Sequence, residues 1–417
     1  MSSVATPPAV RTSATRLVLG HRLYRGATVA MFLSGLGFSA AAPQIARFLV
    51  TDLGASLPMA GLYYLTNLTA PVAGYLIGSR SDRTGRRLGL FRWCAVAGFL
   101  GWAGIAFSTQ LWMPFVISAL VLGFAGAAGS QLFAALRDEL DSRPAAANEG
   151  VVAIVRMALT AGWVVGPVLG AWFAAQFGLR ALLLATAVCT LAQILPMGAL
   201  RSAPPVSFSA PSADRSAAGA IATVPGRRPA LRVMLPLLAF TGLYVLVYAG
   251  ESIKYAYLPI YMNEQLRLAP AVSGAVIGIQ PLVELILMPF SVIVGRRIGY
   301  LPLMAIGAGF GVAANLCFAL TGSAAGMFAG QILMGGVWGV FAALGIIVAQ
   351  RLLPSAVATA SAIFMSSTAV SSALGGLTGG VGVALLGLPQ VFWIPALFAL
   401  LAVVGLVIMS RKTTVDS

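Results

Sequence analysis

Twelve long apolar stretches, separated by short charged segments, decide what this chain can fold into. A stretch of about 20 apolar residues spans the hydrocarbon core of a bilayer, where only helices and closed barrels satisfy their backbone hydrogen bonds. The stretches are too long and alternate too little for barrel strands, and only 9% of the residues are charged. The sequence therefore predicts an all-α integral membrane protein with twelve transmembrane helices in two six-helix halves. The predicted spans 1 to 12 are residues 26–50, 58–79, 88–108, 111–136, 149–175, 179–200, 232–261, 270–294, 300–320, 324–350, 355–386 and 389–410.

Arginine residues concentrate on one side of these spans. The largest groups precede span 1 and follow spans 2 and 6, and they comprise Arg11, Arg16, Arg22 and Arg25, then Arg80, Arg83, Arg86, Arg87 and Arg92, then Arg201, Arg215, Arg227, Arg228 and Arg232. Cytoplasmic loops carry an excess of Lys and Arg. Because the number of spans is even, both termini are predicted to be cytoplasmic. Contact with anionic lipid headgroups explains the net charge of +15 without a nucleic-acid partner.

A segment rich in Ser, Ala, Pro and Arg divides the chain near its middle. It contains no apolar run and is typical of a flexible linker. Short echoes on its two sides, such as 85–87 and 296–299, indicate a duplicated six-helix unit. Transporters built from such halves bind substrate between them, near the middle of the membrane. The predicted organisation is a cytoplasmic N-terminal tail (1–25), an N-terminal six-helix bundle (26–200), a cytoplasmic linker (201–231), a C-terminal six-helix bundle (232–410) and a cytoplasmic tail (411–417).

The loop after span 2 combines an aspartate with several arginines. Its carboxylate can bind a guanidinium or a helix N-terminus, and the arginines can reach two acidic residues at the end of span 4. Glycines at the two ends of the motif allow close helix approach and a tight turn. Such a cluster would latch the helix ends together in one conformation and release them in another; the alternative is a loop whose arginines only set orientation. The predicted latch comprises Gly78, Asp82, Arg83, Gly85, Arg86, Arg87, Asp138 and Glu139.

Span 5 carries regularly spaced small residues around a proline. Gly162, Gly166 and Gly170 lie four residues apart, and Pro167 follows the second of them. Glycines at this spacing line one helix face and allow close packing, while the proline bends the helix. The alternative to a functional role is an ordinary packing seam.

Four ionisable residues lie deep within the predicted spans. They are Arg156 in span 5, Glu251 and Lys254 in span 7, and Glu284 in span 8. Each costs about 2.5–3.5 kcal/mol at the centre of a helix, so function or mutual pairing is expected. We predict that Glu284 exchanges protons, because such exchange needs a carboxyl group that is neutral in one state. Arg156 is predicted to be its counter-charge or a clamp for the substrate.

Glu251 and Lys254 are three residues apart and can face the same way on one helix. Either the pair faces a central cavity and selects the substrate, or it only stabilises helix packing. Aromatic residues on the same stripe of span 7 can stack on the ring faces of a ligand. The candidate cavity residues are Tyr244, Tyr248, Tyr255, Gln44 and Trp338.

Two of these motifs resemble signatures of the major facilitator superfamily. Residues 78–87 are similar to its G-x-L-x-D-R-x-G-R-R signature, with Arg80 where leucine is usual. Residues 162–170 are similar to its antiporter signature, G-x-x-x-G-P-x-x-G. Within the superfamily the chain most resembles the sugar efflux transporter (SET) family of bacterial exporters, over residues 131–139, 156–167, 259–264 and the segment around Glu284.

This resemblance implies the major facilitator fold and a location in the bacterial cytoplasmic (inner) membrane. It also implies proton-coupled export of sugars, glycosides or other small hydroxylated solutes. Family members carry an arginine and a glutamate at the positions that match Arg156 and Glu284, which implies a role in transport for both. The Glu251–Lys254 pair departs from the uncharged residues of the sugar exporters, and it leaves open a charged solute such as a siderophore or a drug-like compound.

Other functional classes fit the sequence less well. A membrane enzyme would need a catalytic constellation, but no histidine lies in a predicted span and no acidic cluster has metal-ligand spacing. There is no nucleotide-binding loop, so an ion gradient is expected to supply the energy. We expect no cofactor and no metal, a monomer, and a small-molecule substrate, protons and the lipid bilayer as partners. A passive channel or a receptor on the same fold is the alternative from another class.

Overall fold

The computed structural model describes residues 14–142, 148–198, 200 and 231–412, and every regular element within these ranges is a helix. The all-α prediction is therefore confirmed for the described chain. We number the long helices by the predicted spans. They are α1 (Arg22–Thr51), α2 (57–84), α3 (Arg87–Ala106), α4 (Trp112–Ser142), α5 (Gly150–Phe177), α6 (Leu179–Met197), α7 (Arg232–Gln265), α8 (Pro270–Ile298), α9 (Tyr300–Leu320), α10 (Ala324–Leu352), α11 (Thr359–Leu386) and α12 (Gln390–Arg411).

Eleven of these described helices are long and apolar enough to cross a membrane, and α2 is the exception. It is α-helical over Leu57–Leu62, 3₁₀-helical over Tyr63–Thr69 and α-helical again over Ala70–Thr84. Polar residues in the 3₁₀ segment lower its mean hydropathy. The helix predicted at 58–79 thus exists, but it is less apolar than the other eleven.

The helices pack as two groups of six. In the N-terminal half (α1–α6), α1 packs against α5 and α6, and α3 packs against α4 and α6. In the C-terminal half (α7–α12), α10 packs against α8 and α9, while α7 packs against α11 and α12. The halves meet where α5 contacts α8 and where α2 contacts α11. Of the predicted tails and linker, residues 1–13, 201–230 and 413–417 lie outside the described residues.

Contacts between helix ends show which loops lie on the same face of the bundle. Arg87 at the start of α3 binds Asp138 at the end of α4 (Nε to Oδ2, 3.0 Å). Arg180 at the start of α6 donates to the carbonyl oxygen of Ala106 at the end of α3 (2.8 Å). We call the face that carries Arg87 and Asp138 the arginine-rich face and the other the opposite face. Helix direction alternates between them, as a bundle of membrane spans requires.

The two halves pack closely near the opposite face. There a Cβ atom added at Gly376 of α11 would lie 2.8 Å from the carbonyl oxygen of Gly61 on α2. Farther along α2, toward the arginine-rich face, a Cβ atom at Gly74 or Gly78 would meet no atom within 4 Å. The cleft between the halves therefore opens toward the arginine-rich face. Gly78 was predicted to allow close helix approach, and in this conformation that prediction is wrong because the space beside it is open.

Candidate functional site

Two adjoining cavities lie between the halves. The smaller lobe has a volume of about 330 Å³ and the larger lobe of about 710 Å³. Trp163, Tyr248, Glu251 and Tyr255 line both, so they form the wall that the lobes share. Both volumes fall near or within the range of roughly 300–1,000 Å³ that is usual for small-molecule sites.

The aromatic stripe predicted on α7 lines the smaller lobe. Tyr244, Tyr248 and Tyr255 all reach it, and so does Trp338 from α10. The Tyr248 and Trp338 rings meet edge to face, with centroids 4.9 Å apart, and Tyr244 stacks near Tyr248 with centroids 6.1 Å apart. These packed rings line one side of the lobe and hold one another in place.

Glu251 is surrounded by hydrogen-bond donors. Its Oε1 accepts from Lys254 Nζ at 2.6 Å and from Gln280 Nε2 at 3.1 Å, and its Oε2 accepts from Trp338 Nε1 at 3.0 Å. Lys254 also donates to Gln280 Oε1. The network joins α7, α8 and α10. All three partners are buried. The ammonium group of Lys254 balances the negative charge of the carboxylate, and the three hydrogen bonds fix its position.

Two predicted cavity residues lie elsewhere. Lys254 is 2% exposed and lies behind the wall, 4.7 Å from the Tyr255 ring centroid, instead of facing the cavity. Gln44 precedes the last turns of α1; it is buried and lines neither lobe. The spacing of Glu251 and Lys254 correctly indicated a contact. It could not indicate which of the two side chains faces the cavity.

Glu284 has a different environment. It lines the smaller lobe and is half-buried. Within the described ranges, no hydrogen bond or ion pair engages its carboxylate. The predicted partner Arg156 is exposed, and its guanidinium carbon lies 5.7 Å from the Phe133 ring centroid. In this conformation the structure does not bring Arg156 and Glu284 together.

The glycine motif fixes α5 between α1 and α8. A Cβ atom at Gly162 would lie 2.6 Å from the backbone of α1, and one at Gly166 or Gly170 would lie 2.7 Å from it. On the other side, a Cβ atom at Gly274 of α8 would lie 2.8 Å from the Pro167 carbonyl oxygen. Pro167 itself lines the smaller lobe. Close packing of the motif, as predicted from its spacing, thus holds one wall of the cavity.

Part of the charge cluster predicted for the latch forms around one arginine. Arg87 binds Asp82 (Nη1 to Oδ1, 2.7 Å) and Asp138, and it also donates to the Ser81 hydroxyl at 2.9 Å. Gly85 adopts a left-handed conformation (φ +64°), as its predicted turn requires. These contacts tie α2, α3 and α4 together at the arginine-rich face.

Other members of the predicted latch take no part in that cluster. Arg83 and Arg86 are exposed, and neither forms an ion pair among the described residues. Glu139 lies 3.5 Å from His21 Nε2, just before α1. The spacing of the motif predicted a charge cluster between α2 and α4, but only the folded loop shows that Arg87 is its centre.

Several cavity residues gave no signal in the sequence. Trp163 and Gln280 line the smaller lobe, and Tyr64, Asn67 and Ser372 line the larger lobe. Neutral residues carry little insertion penalty, so they do not stand out in a membrane span as charges do. The position of Gln280, one helical turn before Glu284, was the one available hint.

Comparison with known proteins identifies the family. The sequence profile of the Major Facilitator Superfamily matches residues 27–249 and 240–416. The chain belongs to the Major Facilitator Superfamily. The predicted superfamily and its fold are therefore confirmed, and the protein is a multi-pass membrane transporter and not an enzyme.

Relatives over most of the length carry transport names. The chain is 26% identical over 354 residues to Sugar efflux transporter A of Dickeya chrysanthemi, covering 85% of this chain and 87% of that protein. It is 24% identical over 384 residues to Sugar efflux transporter B of Salmonella typhimurium, covering 90% and 92%. The crystal structure of the nucleoside transporter NupG matches the fold with a TM-score of 0.74 at 15% identity, covering 93% of this chain and 98% of that one.

Proposed function

We propose that this protein exports small hydroxylated solutes, sugars or glycosides, across the bacterial cytoplasmic membrane in exchange for protons. In this proposal the two halves rock about the central cavity and expose it to each side in turn, both termini are cytoplasmic, and a monomer suffices. The arginine-rich face is then the cytoplasmic face. The cleft described above is open to the side from which an exported solute enters.

The observation that carries the proposal is a cavity that combines aromatic faces with polar groups, in a relative of sugar efflux transporters. Aromatic rings pack well against the apolar faces of a ligand ring. Polar side chains around them fix orientation and give specificity. The smaller lobe has three tyrosines and two tryptophans, and the larger lobe adds neutral amide and hydroxyl groups.

The proton site in this proposal is Glu284. A carboxyl group that couples proton movement to transport must change its protonation state between the two conformations. Glu251 is occupied by three donors, whereas Glu284 faces the lobe and has no described partner. Intramembrane acids of this kind are the usual proton carriers in transporters.

The packing of α5 on α8 supports Arg156 as the counter-charge. These helices run antiparallel, with Gly278 against Val164 and Gly274 against Val168. The same register, continued by about two helical turns toward the arginine-rich face, places Arg156 near the level of Glu284. Closing the cleft on that face would bring the two side chains within reach, so the ion pair would exist only in the closed state.

A charged solute is the second candidate substrate. In the part of the chain that the structure describes, no lysine or arginine lines either lobe, and Lys254 is already paired with Glu251. An anionic siderophore would find no cation in the cavity, whereas a cationic drug-like solute could bind Glu284 and the aromatic rings. The cavity therefore favours neutral sugars first and cations second.

Solute uptake into inverted membrane vesicles tests this function. The panel contains neutral glycosides, a siderophore and cationic drugs. The vesicles are made acidic inside, so that a proton gradient is imposed across their membrane. We expect uphill, gradient-dependent uptake of glycosides and proton release from the vesicles in step with it. Flux that never exceeds equilibrium would indicate a channel, and binding without flux would indicate a receptor. Uptake of the cations alone would overturn the sugar assignment.

A further inference from the structure

The larger lobe offers neutral hydrogen-bonding groups. Among the described residues, Glu251 is the one charged residue in its lining, and its carboxylate accepts hydrogen bonds from Lys254, Gln280 and Trp338. The other polar groups of the described lining are hydroxyls and the Asn67 amide, which both donate and accept hydrogen bonds, and the indole N–H of Trp163, which only donates. Such a surface matches an uncharged polyol better than an ion.

Tyr64 supplies a hydroxyl that no described residue satisfies. The residue is 8% exposed, lines the larger lobe, and has no hydrogen-bond partner at its hydroxyl in the described chain. Its ring is held by Tyr63, with centroids 5.9 Å apart, and by α11, where a Cβ atom at Gly376 would lie 3.3 Å from the Tyr64 Cβ. The hydroxyl oxygen is closed off from the lobe in this conformation, so a ligand hydroxyl reaches it only when the side chain moves toward the lobe. An unpaired buried hydroxyl costs about 1–3 kcal/mol, and a ligand hydroxyl that pairs with it recovers that cost.

Asn67 and Ser372 extend the same wall and connect the halves. Asn67 Nδ2 donates to Ser372 Oγ at 2.8 Å, and Ser372 Oγ donates to the Tyr64 carbonyl oxygen at 3.1 Å. Asn67 is otherwise exposed to the lobe. Tyr64 and Asn67 both lie in the 3₁₀ segment Tyr63–Thr69 of α2, where the helix changes from α-helical to 3₁₀-helical geometry beside the cavity. A 3₁₀ stretch in the middle of a helix often marks a functional hinge.

We propose that Tyr64, Asn67 and Ser372 form a hydroxyl-binding subsite that takes the sugar ring of the substrate, while the smaller lobe takes any aromatic or apolar substituent. This inference rests on the proposed function in sugar export. The two α2 residues set which ring hydroxyls are required, because a site built to hydrogen-bond a hydroxyl rejects the analogue that lacks it. A sugar bound there contacts both halves, beside the Asn67–Ser372 hydrogen bond that joins them.

Uptake kinetics with 4-nitrophenyl β-glucoside and its monodeoxy analogues test the subsite, using full-length protein in inside-out proteoliposomes. Tyr64→Phe removes only the hydroxyl, and we expect the KM for the parent glycoside to rise about tenfold with an unchanged maximal rate. For one monodeoxy analogue, the one that lacks the hydroxyl bound by Tyr64, the variant and the wild type should have equal KM values. Ser372→Ala should raise KM less, by about two- to fivefold.

Tyr63→Phe is the matched control, because Tyr63 is adjacent and buried but lines neither lobe. Its KM values should equal those of the wild type. The subsite is overturned if Tyr64→Phe and Ser372→Ala behave like Tyr63→Phe, or if Tyr64→Phe raises KM equally for every analogue. Failure of the wild type to take up any glycoside would overturn the proposed function and the subsite with it.

Discussion

Glu251 and Glu284 both line the smaller lobe but have opposite environments. Glu251 is 7% exposed and accepts hydrogen bonds from a lysine, an amide and an indole. Glu284 is half-buried, faces the smaller lobe and has no such partner in the described chain. The partners of the two acids therefore differ although both lie within membrane spans. On that difference rests the proposal that Glu251 holds helices together and that Glu284 carries the proton.

The largest effect is expected when Glu251 loses its lysine. Lys254→Met leaves a buried carboxylate without its counter-charge, which costs about 3–5 kcal/mol, a large part of the roughly 5–15 kcal/mol that stabilises a typical folded domain. We expect little monodisperse protein in detergent and a strongly lowered Tm for what remains, measured by fluorescence-detected size exclusion. Wild-type stability in Lys254→Met would show that Glu251 is not an anchor.

A smaller effect is expected from the exposed acid of the latch. Asp82→Asn keeps the size of the side chain and removes its charge, and an exposed ion pair contributes about 0–1 kcal/mol. A change of that size alters the balance between conformations by up to about fivefold. We expect glycoside transport to fall by up to that factor while binding by purified protein is retained.

Arg83→Gln is the matched control for the latch, since Arg83 forms no described ion pair although it adjoins Asp82. It should transport at the wild-type rate. Equal transport by Asp82→Asn and Arg83→Gln would show that the motif only sets the orientation of the chain in the membrane and does not act as a latch.

The smallest effect is expected when both members of the buried pair become neutral. The Glu251→Gln/Lys254→Gln double variant leaves no unpaired charge, so it should be more stable than Lys254→Met. Because Lys254 lies behind the wall, the preference among matched neutral and charged glycosides should change little in a competition assay. Loss of the charged glycosides before the neutral ones would show that the pair selects the substrate.

The sequence allowed prediction of features that have a strong local signal. Apolar length predicted the helices, and the spacing of Asp82, Gly85 and Arg87 predicted a turn with a charge cluster. Glycines four residues apart predicted the close packing of α5. Among the described helices only α2 falls short of the apolar length of a membrane span, because polar residues beside the cavity interrupt its apolar run.

The cavity could be predicted only in part. Insertion cost singled out Glu251 and Glu284, but it also singled out Lys254 and Arg156, which do not line either lobe. Whether a side chain faces the cavity depends on how its helix is rotated by contacts with distant helices. Tyr64 and Asn67 are neutral, so they carry no insertion cost that would single them out. The hydrogen bond between Asn67 and Ser372 joins residues about 300 positions apart, so no local sequence pattern predicts it.

Proton movement in proteoliposomes that contain Glu284→Gln tests the proton assignment most directly. Substrate is added to vesicles that contain a pH-sensitive dye, and substrate counterflow is measured in the same preparation to show that the variant is folded and able to bind. We expect counterflow to persist while substrate-driven proton movement is lost and transport no longer depends on pH. Proton movement coupled to transport at the wild-type rate in Glu284→Gln would contradict the assignment of Glu284 as the proton carrier.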